Sequence, residues 1–355
     1  MGGHGVSTMR YLRQIGLPGF GEESQEKLSQ ATVTAVGCGG LGSPALLYLV
    51  AAGVGRVRFL DHDDVELTNL HRQVLHSTEA IGIPKVDSAY QRLSALNPEV
   101  QLEPLREKLT PENHVELVRG STVVLDGSDN FPTRHLVSSA CAQLGIPHIW
   151  ASILGYEAQL SVFDAAAGGP IYEDAFPQPP APGSVPSCAE AGVLGPVVGQ
   201  VGCAMAMEAI KLIAGIGKPL RGTIAYYDAL SARWEYIPLK PNPQVLERVH
   251  SGVLPEFEKD VPTLNTIPDG ALIIDVRTPK ECARGMIPGA QNIPLDEILA
   301  GTPLPIHNPT LLYCQTGKRS ERALRALLGT HPAELFHLRG GYEFWSSSRD
   351  PQSGT

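Results

Sequence analysis

No two cysteines in this 355-residue chain stand in a C-x-x-C spacing; the six, Cys38, Cys141, Cys188, Cys203, Cys282 and Cys314, are scattered. That spacing offers no zinc site. The opening MGGHGVSTMRYLRQ has no apolar h-region, so no secretory signal is expected, and the cysteines read as reduced thiols of a cytoplasmic protein. Long basic runs are also missing and the net charge is −9, which argues against nucleic acid or an anionic membrane as partner. The most apolar long stretch, GPVVGQVGCAMAMEAIKLIAG (195–215), is interrupted by Gln200, Glu208 and Lys211. It reads as a buried or dimer-interface helix rather than a membrane span. Neither repeats nor low-complexity tracts occur.

What is present is enough for two globular domains: 43% apolar residues, 18% charged, and a length long for one domain. TVTAVG (32–37), VRFLDHD (57–63), STVVLDGSD (121–129) and IPHIWASI (146–153) read as strands, with SPALLYLVAAG (43–53) as a helix. Such βαβ alternation predicts a largely parallel sheet with helices on both faces, and a nucleotide beyond the carboxyl ends of its strands. FPQPPAPGSVPSC (176–188), with five prolines in thirteen residues, predicts an extended loop that delivers Cys188. LKPNPQVLERVHSGVLPEFEKDVP (239–262) reads as an interdomain linker; ALIIDVR (271–277) then restarts the pattern, and LLYCQTGKRSERALRALL (311–328) runs a strand into a helix. The fold class expected is α/β: a Rossmann-like domain over 1–240, a linker at 241–262, and a small α/β domain over 263–350.

Residues 36–44, VGCGGLGSP, place Gly37, Gly39 and Gly42 at the spacing G-x-G-x-x-G, with Asp61 where a ribose-binding acid belongs. Backbone N–H groups at a helix N-terminus bind any phosphate, so the loop does not distinguish NAD from another nucleotide. The following loops do: DHDDVELTNLHRQVLH (61–76), IGIPKVDSA (81–89) and LDGSDN (125–130) are rich in charge. A nicotinamide pocket is mostly apolar. Expelling pyrophosphate instead needs cations on the phosphates and a carboxylate for Mg²⁺, the residue types of Arg72, Lys85 and Asp129.

VGCGGLGSP, LDHDDVELTNLHRQ, GIPKVDSA, LDGSDNFPTRH and SCAEAGVLGP, in that order, resemble the adenylating enzymes of the ubiquitin-activating superfamily. Among these the molybdopterin-synthase and thiamine sulfur-carrier adenylyltransferases are the most similar, over about residues 9–240. The resemblance implies ATP and not NAD, with Gly40 in the phosphate loop beside Gly37, Gly39 and Gly42, and Asp61 on the ribose. It implies Asn69, Arg72, Gln73 and Lys85 around the nucleotide, and Asp129 with Asn130 completing the Mg-ATP site. Arg13, in MRYLRQIGL, matches an arginine that reaches into the neighbouring subunit's site, which implies a homodimer. Members often carry two C-x-x-C pairs for structural zinc. Here Ile171 and Asp174 stand in place of the first pair, and the second is missing around 242–247. No zinc is expected, and packing alone is expected to hold these segments together.

IIDVRTPKECARGMIPGAQNIPL (273–295) followed by LLYCQTGKRS resembles a rhodanese sulfurtransferase over about residues 255–347. Cys314 ends a strand, Arg319 opens a helix, and Gln315, Thr316, Gly317 and Lys318 form a loop whose N–H groups can converge on the sulfur. The helix N-terminus with Lys318 and Arg319 nearby is expected to favour thiolate and persulfide. A tyrosine-phosphatase loop has the same layout but five residues between Cys and Arg; the four here make a smaller ring suited to sulfur. Cys188 matches a cysteine that bonds the carrier's C-terminus or its sulfur, while Cys38, Cys141, Cys203 and Cys282 read as core filling.

The reading is a two-domain enzyme that adenylates the C-terminal glycine of a small ubiquitin-fold sulfur carrier ending in Gly-Gly. It then delivers sulfur from a Cys314 persulfide, charged by a cysteine desulfurase or thiosulfate, to form a thiocarboxylate. Activation of a ubiquitin-like modifier for conjugation through a Cys188 thioester is the alternative, and a non-catalytic carrier scaffold a third.

Overall fold

The computed structural model describes residues 5–180, 192–255 and 261–347. The chain forms two compact units, Met1–Phe257 and Glu258–Thr355.

The first unit is built on an eight-stranded sheet: β1 (Thr32–Val36), β2 (Arg56–Leu60), β3 (Gln101–Leu105), β4 (Val123–Asp126), β5 (His148–Leu154), β6 (Glu157–Phe163), β7 (Thr223–Asp228) and β8 (Arg233–Pro238). Their spatial order is β3-β2-β1-β4-β5-β6-β7-β8. The pairs from β3 to β5 are parallel, as the βαβ alternation predicts. From β5 to β8 every pairing is antiparallel, an extension the alternation did not announce. Gly155 and Tyr156 alone separate β5 from β6, too short a connection for a parallel crossover. The order reverses between β1 and β4, so the loops leaving these two strands diverge around a crevice.

The helix Gly195–Ala214 is the one described helix long and apolar enough to cross a membrane. Its Val197, Val198, Val201, Met205, Ala206 and Ala209 are buried in one core with Leu46, Leu49 and Val50 of the helix Gly42–Ala51. That burial accounts for the apolar run.

The expected linker is partly regular structure. Asn242 caps a helix, Pro243–His250, by accepting from Gln244 N at 3.0 Å. Val249 on that helix is buried with Ile171 and Ala142, flanked by Val245 and Leu246. Packing alone does not tie these segments together: Asp174 accepts from Ile171 N at 2.8 Å and from Asn242 N at 2.9 Å, a carboxylate clasp between them. Burial pushes the Asp174 pKa up against the pull of those two amides. Asp174→Ala leaves both donors without this acceptor, and a loss of about 1–2 kcal/mol is expected. The check is thermal melting: Tm should fall by a few degrees, and an unchanged Tm would reduce the clasp to a surface contact.

The second unit carries a parallel sheet of β9 (Thr263–Leu264), β10 (Leu272–Asp275), β11 (Gln291–Asn292), β12 (Thr310–Tyr313) and β13 (Leu335–Leu338), ordered β11-β10-β12-β13-β9. β12 is buried along its whole length at the centre. Cys314 follows it directly, and the helix Lys318–Leu327 begins four residues later.

Candidate active sites

In the first unit the crevice between β1 and β4 is lined by the glycine loop. Gly37 has φ +97°, and a Cβ at Gly42 would overlap the carbonyl oxygen of Gly37. The chain therefore doubles back on itself with no room for a side chain where Gly37 and Gly42 meet, and the helix Gly42–Ala51 opens from the turn. Gly127, at the end of β4, abuts Gly37 from the other side. Asp61, at the end of β2, fixes the loop: one oxygen accepts from Cys38 N at 2.9 Å, the other from Asp63 N at 3.0 Å.

The predicted cations lie around this loop. The Lys85 side chain is buried, and its Nζ contacts Asp63 Oδ2 at 3.0 Å. Burial works against its charge, but Asp61, Asp63 and Asp129 together outweigh that and raise its pKa. One buried ammonium thus faces carboxylates from two loops, Asp61 and Asp63 after β2 and Asp129 after β4. The stem of Arg72 runs beside Gly40, and its guanidinium donates to Asn69 Oδ1 at 3.0 Å and to Thr68 O at 3.1 Å. Gln73 is buried beside Gly39, and its Oε1 has no hydrogen-bond partner among the described residues. A glycine cradle and a cation paired mainly with acids fit a polyphosphate, and the orphaned Gln73 oxygen, an acceptor, fits a hydroxyl or a metal beside it.

Asp129 is exposed. Asn130 next to it caps the helix Phe131–Leu144, its Oδ1 accepting from Thr133 N at 3.0 Å. The turn that presents them is held by fully buried Asp126, which accepts from Ser128 N (3.0 Å) and Ser128 Oγ (2.6 Å), with His148 Nε2 at 3.3 Å from its other oxygen. Arg13 is exposed on the helix Gly5–Ile15, and no described hydrogen bond or ion pair joins it to Arg72, Lys85 or Asp129. Cys188 lies outside the described residues.

His76 was missed in the sequence. Its Nε2 lies 3.0 Å from Cys38 O, which can only accept, so Nε2 carries the proton and Nδ1 accepts from Ser88 Oγ at 2.9 Å. Burial lowers its pKa, which keeps it neutral in this role. It ties the glycine loop to the helix that bears Lys85. The one signal was a second histidine, four residues after Arg72, at the end of LHRQVLH.

In the second unit Cys314 is 1% exposed. Gly317 N–H points at its Sγ from 3.1 Å and Ser320 Oγ lies at 3.8 Å. Its carbonyl accepts from Tyr342 N at 2.8 Å. A Cβ at Gly341 would overlap that same carbonyl, so only glycine lets the Gly340–Gly341 turn close over the loop. Gln315 accepts from Arg277 Nη1 at 2.9 Å and donates to Glu343 Oε1 at 3.1 Å, Thr316 is exposed, and Lys318 is also engaged by a partner.

Arg319 departs from expectation, since it is not a cation given wholly to the sulfur. Glu281 holds it through two hydrogen bonds, at 2.6 and 2.8 Å. Asp275, Arg277 and Glu281 are the residues sequence reasoning missed here. Arg277 is buried against Asp275 (2.7 Å) and stacks over Tyr342, 4.4 Å from the ring centre.

Among the described residues Cys38 and Cys141 have thiol pKa values pushed well up by burial, Cys203 is raised by the same cause, and Cys282 is pushed up to about 11. None of these four is an activated nucleophile.

Residues 11–247 match the ThiF family, and residues 262–348 match the rhodanese-like domain. A probable adenylyltransferase/sulfurtransferase MoeZ of Mycobacterium tuberculosis is 40% identical over 366 aligned residues, which cover 96% of this chain and 93% of that protein. A sulfur carrier protein adenylyltransferase of Thermus thermophilus is 50% identical over 66% of this chain and 88% of its own. Among solved structures, PaaA is 26% identical with a TM-score of 0.57, covering 66% of this chain and 75% of that one.

Proposed function

Because the chain belongs to the ThiF family and ends in a rhodanese-like domain, we propose that it adenylates a sulfur-carrier protein and then supplies the sulfur. One observation carries this reading: a single chain holds both a glycine cradle with buried Lys85 and a strand-end Cys314 under a Gly317 amide. The names of the full-length relatives pair the same two activities.

A carboxylate is a poor electrophile until its oxygen becomes a good leaving group. Transfer of AMP from ATP to the carrier's C-terminal glycine makes it one and releases pyrophosphate. In this reading the glycine-loop amides and Gln73 hold the phosphates, and Asp61 holds the ribose. Arg72, aligned by Asn69, and Lys85 stabilise charge as pyrophosphate departs. Asp129 would hold Mg²⁺, which when bound neutralises charge across the phosphates. The outer sulfur of a Cys314 persulfide then attacks the acyl carbonyl and AMP leaves, giving an acyl disulfide. A thiolate, the role given to Cys188, attacks the Cys314 sulfur, and the thiocarboxylate departs with the bonding pair. An external thiol reduces the disulfide left behind.

The carrier is a small ubiquitin-fold protein ending in Gly-Gly, and the enzyme is a cytoplasmic homodimer. No zinc is required, since the Asp174 clasp joins the segments a metal would join. Conjugation of a ubiquitin-like modifier through Cys188 is not favoured, because it leaves the rhodanese-like domain without a task. The test is carrier-dependent exchange of pyrophosphate into ATP; a protein that catalyses none with any Gly-Gly-ended carrier contradicts the reading.

Arg13, exposed and without a hydrogen bond or ion pair among the described residues, completes the neighbouring site. Mixing Arg13→Ala with Lys85→Ala protein should therefore restore activity to about a quarter of wild type, because one site in each mixed dimer carries neither lesion. No recovery after verified subunit exchange would return Arg13 to its own protomer's surface.

A further inference from the structure

We propose that Glu281 sets the sulfur-donor preference of the Cys314 site, withholding Arg319 from anionic donors and favouring a persulfide over thiosulfate. The inference rests on the rhodanese reading above and goes beyond it by assigning the donor class to a residue.

The charges around the loop carry the argument. Two arginines bonded around this loop, Arg277 and Arg319, are each held by a carboxylate. Arg277 is buried against Asp275. Lys318 has a partner. Arg319, about one-third exposed, is gripped at both nitrogens by Glu281, itself about one-third exposed. Glu343 adds a further carboxylate, bonded to the loop through Gln315. The site therefore presents a carboxylate beside each of Arg277 and Arg319.

Arg319 stands in the first turn of the helix Lys318–Leu327 that follows Cys314. Its pKa is raised first by the Glu281 hydrogen bond and further by Cys314. Glu281 in turn is held well below the usual carboxylate range, above all by Arg319, so the pair stays ionised through the neutral range. Its geometry is fixed independently: Glu281 Oε2 accepts from Thr278 N at 3.0 Å and Thr278 Oγ1 at 2.7 Å, the capping box of the helix Pro279–Cys282.

The two donors make different demands. With thiosulfate, the Cys314 thiolate attacks the outer sulfur, the S–S bond breaks, and sulfite leaves with the bonding pair as a dianion. Binding and departure both need a cation that is free to meet two negative charges. With a persulfide R–S–SH, the thiolate attacks the terminal sulfur and R–S⁻ leaves as a thiolate. That exchange moves a single charge and needs no free guanidinium. A carboxylate at the mouth opposes the first donor far more than the second.

Glu281→Gln is the direct test, in the full chain. Glutamine keeps an oxygen for the Thr278 cap and removes the charge. The KM for thiosulfate, with cyanide as acceptor, should fall by about tenfold, while transfer from cysteine persulfide to Cys314 stays within about threefold. A second measurement needs no variant. The wild-type KM for thiosulfate should be nearly flat with ionic strength, and that of Glu281→Gln should rise with it. An unchanged or higher KM in the variant, or a steep salt dependence in the wild type, overturns the proposal. Failure of Cys314 to gain sulfur from either donor would instead overturn the rhodanese reading beneath it.

Discussion

Replacing Asp129 with alanine is expected to lower carrier-dependent pyrophosphate exchange by roughly a hundredfold or more, with the fold unchanged. The side chain is exposed and accepts no described hydrogen bond. Its removal therefore breaks no described hydrogen bond and costs only a distant attraction to Lys85, so Tm should move by little. What it removes is one of the three carboxylates whose charge acts on Lys85, the one from the loop after β4. Its neighbour supplies the control. Asn130 caps the helix Phe131–Leu144, so Asn130→Ala should cost about 1 kcal/mol of stability through the lost cap. A clear separation of the two phenotypes is the expected result. Exchange at the wild-type rate in Asp129→Ala would remove it from the metal site.

The second large effect separates the two half-reactions. Cys314→Ala should abolish sulfur transfer from either donor and the thiocarboxylate that depends on it, yet leave pyrophosphate exchange at the wild-type level. The sulfur is buried, and its described hydrogen-bond donors are Gly317 N–H and Ser320 Oγ. Removal of one buried sulfur from a site already closed by Gly341 leaves a small cavity, so partial destabilisation of this unit is expected without effect on the other. Free sulfide should restore some thiocarboxylate, because a small strong nucleophile attacks the activated carbonyl directly. Thiocarboxylate formed from thiosulfate at the wild-type rate in this variant would leave the Cys314 loop without a role.

Much of the candidate nucleotide site was legible because its signals are local. A buried strand, three spaced glycines and an acid about twenty residues on can be read within one βαβ unit. The charged loops then excluded a nicotinamide pocket. Other features were written in the sequence and passed over. Asn242-Pro243 is a cap followed by the residue that best opens a helix, yet the surrounding prolines suggested a linker. Thr278 and Glu281 form the S/T-x-x-E signature of a helix start.

What could not be read were the meetings across distance. Glu281 and Arg319 are separated by 38 positions, as are Cys38 and His76. No period or spacing encodes such a pairing. Only the parallel order of β10 and β12 brings the first pair together. The clasp of Asp174 on Asn242 spans 68 positions and is of the same kind. Where the resemblance implies two cysteine pairs in other members, this chain has a carboxylate and two backbone amides.

The central claim is that one chain activates a carrier's C-terminus and then places sulfur on it. Intact mass spectrometry of a Gly-Gly-ended ubiquitin-fold carrier tests it most directly, after incubation with the full chain, Mg-ATP and cysteine persulfide. The account predicts a carrier whose C-terminal carboxylate has exchanged one oxygen for sulfur, in wild type but not in Asp129→Ala or Cys314→Ala. A carrier of unchanged mass, or one joined through its C-terminus to another protein, would contradict it.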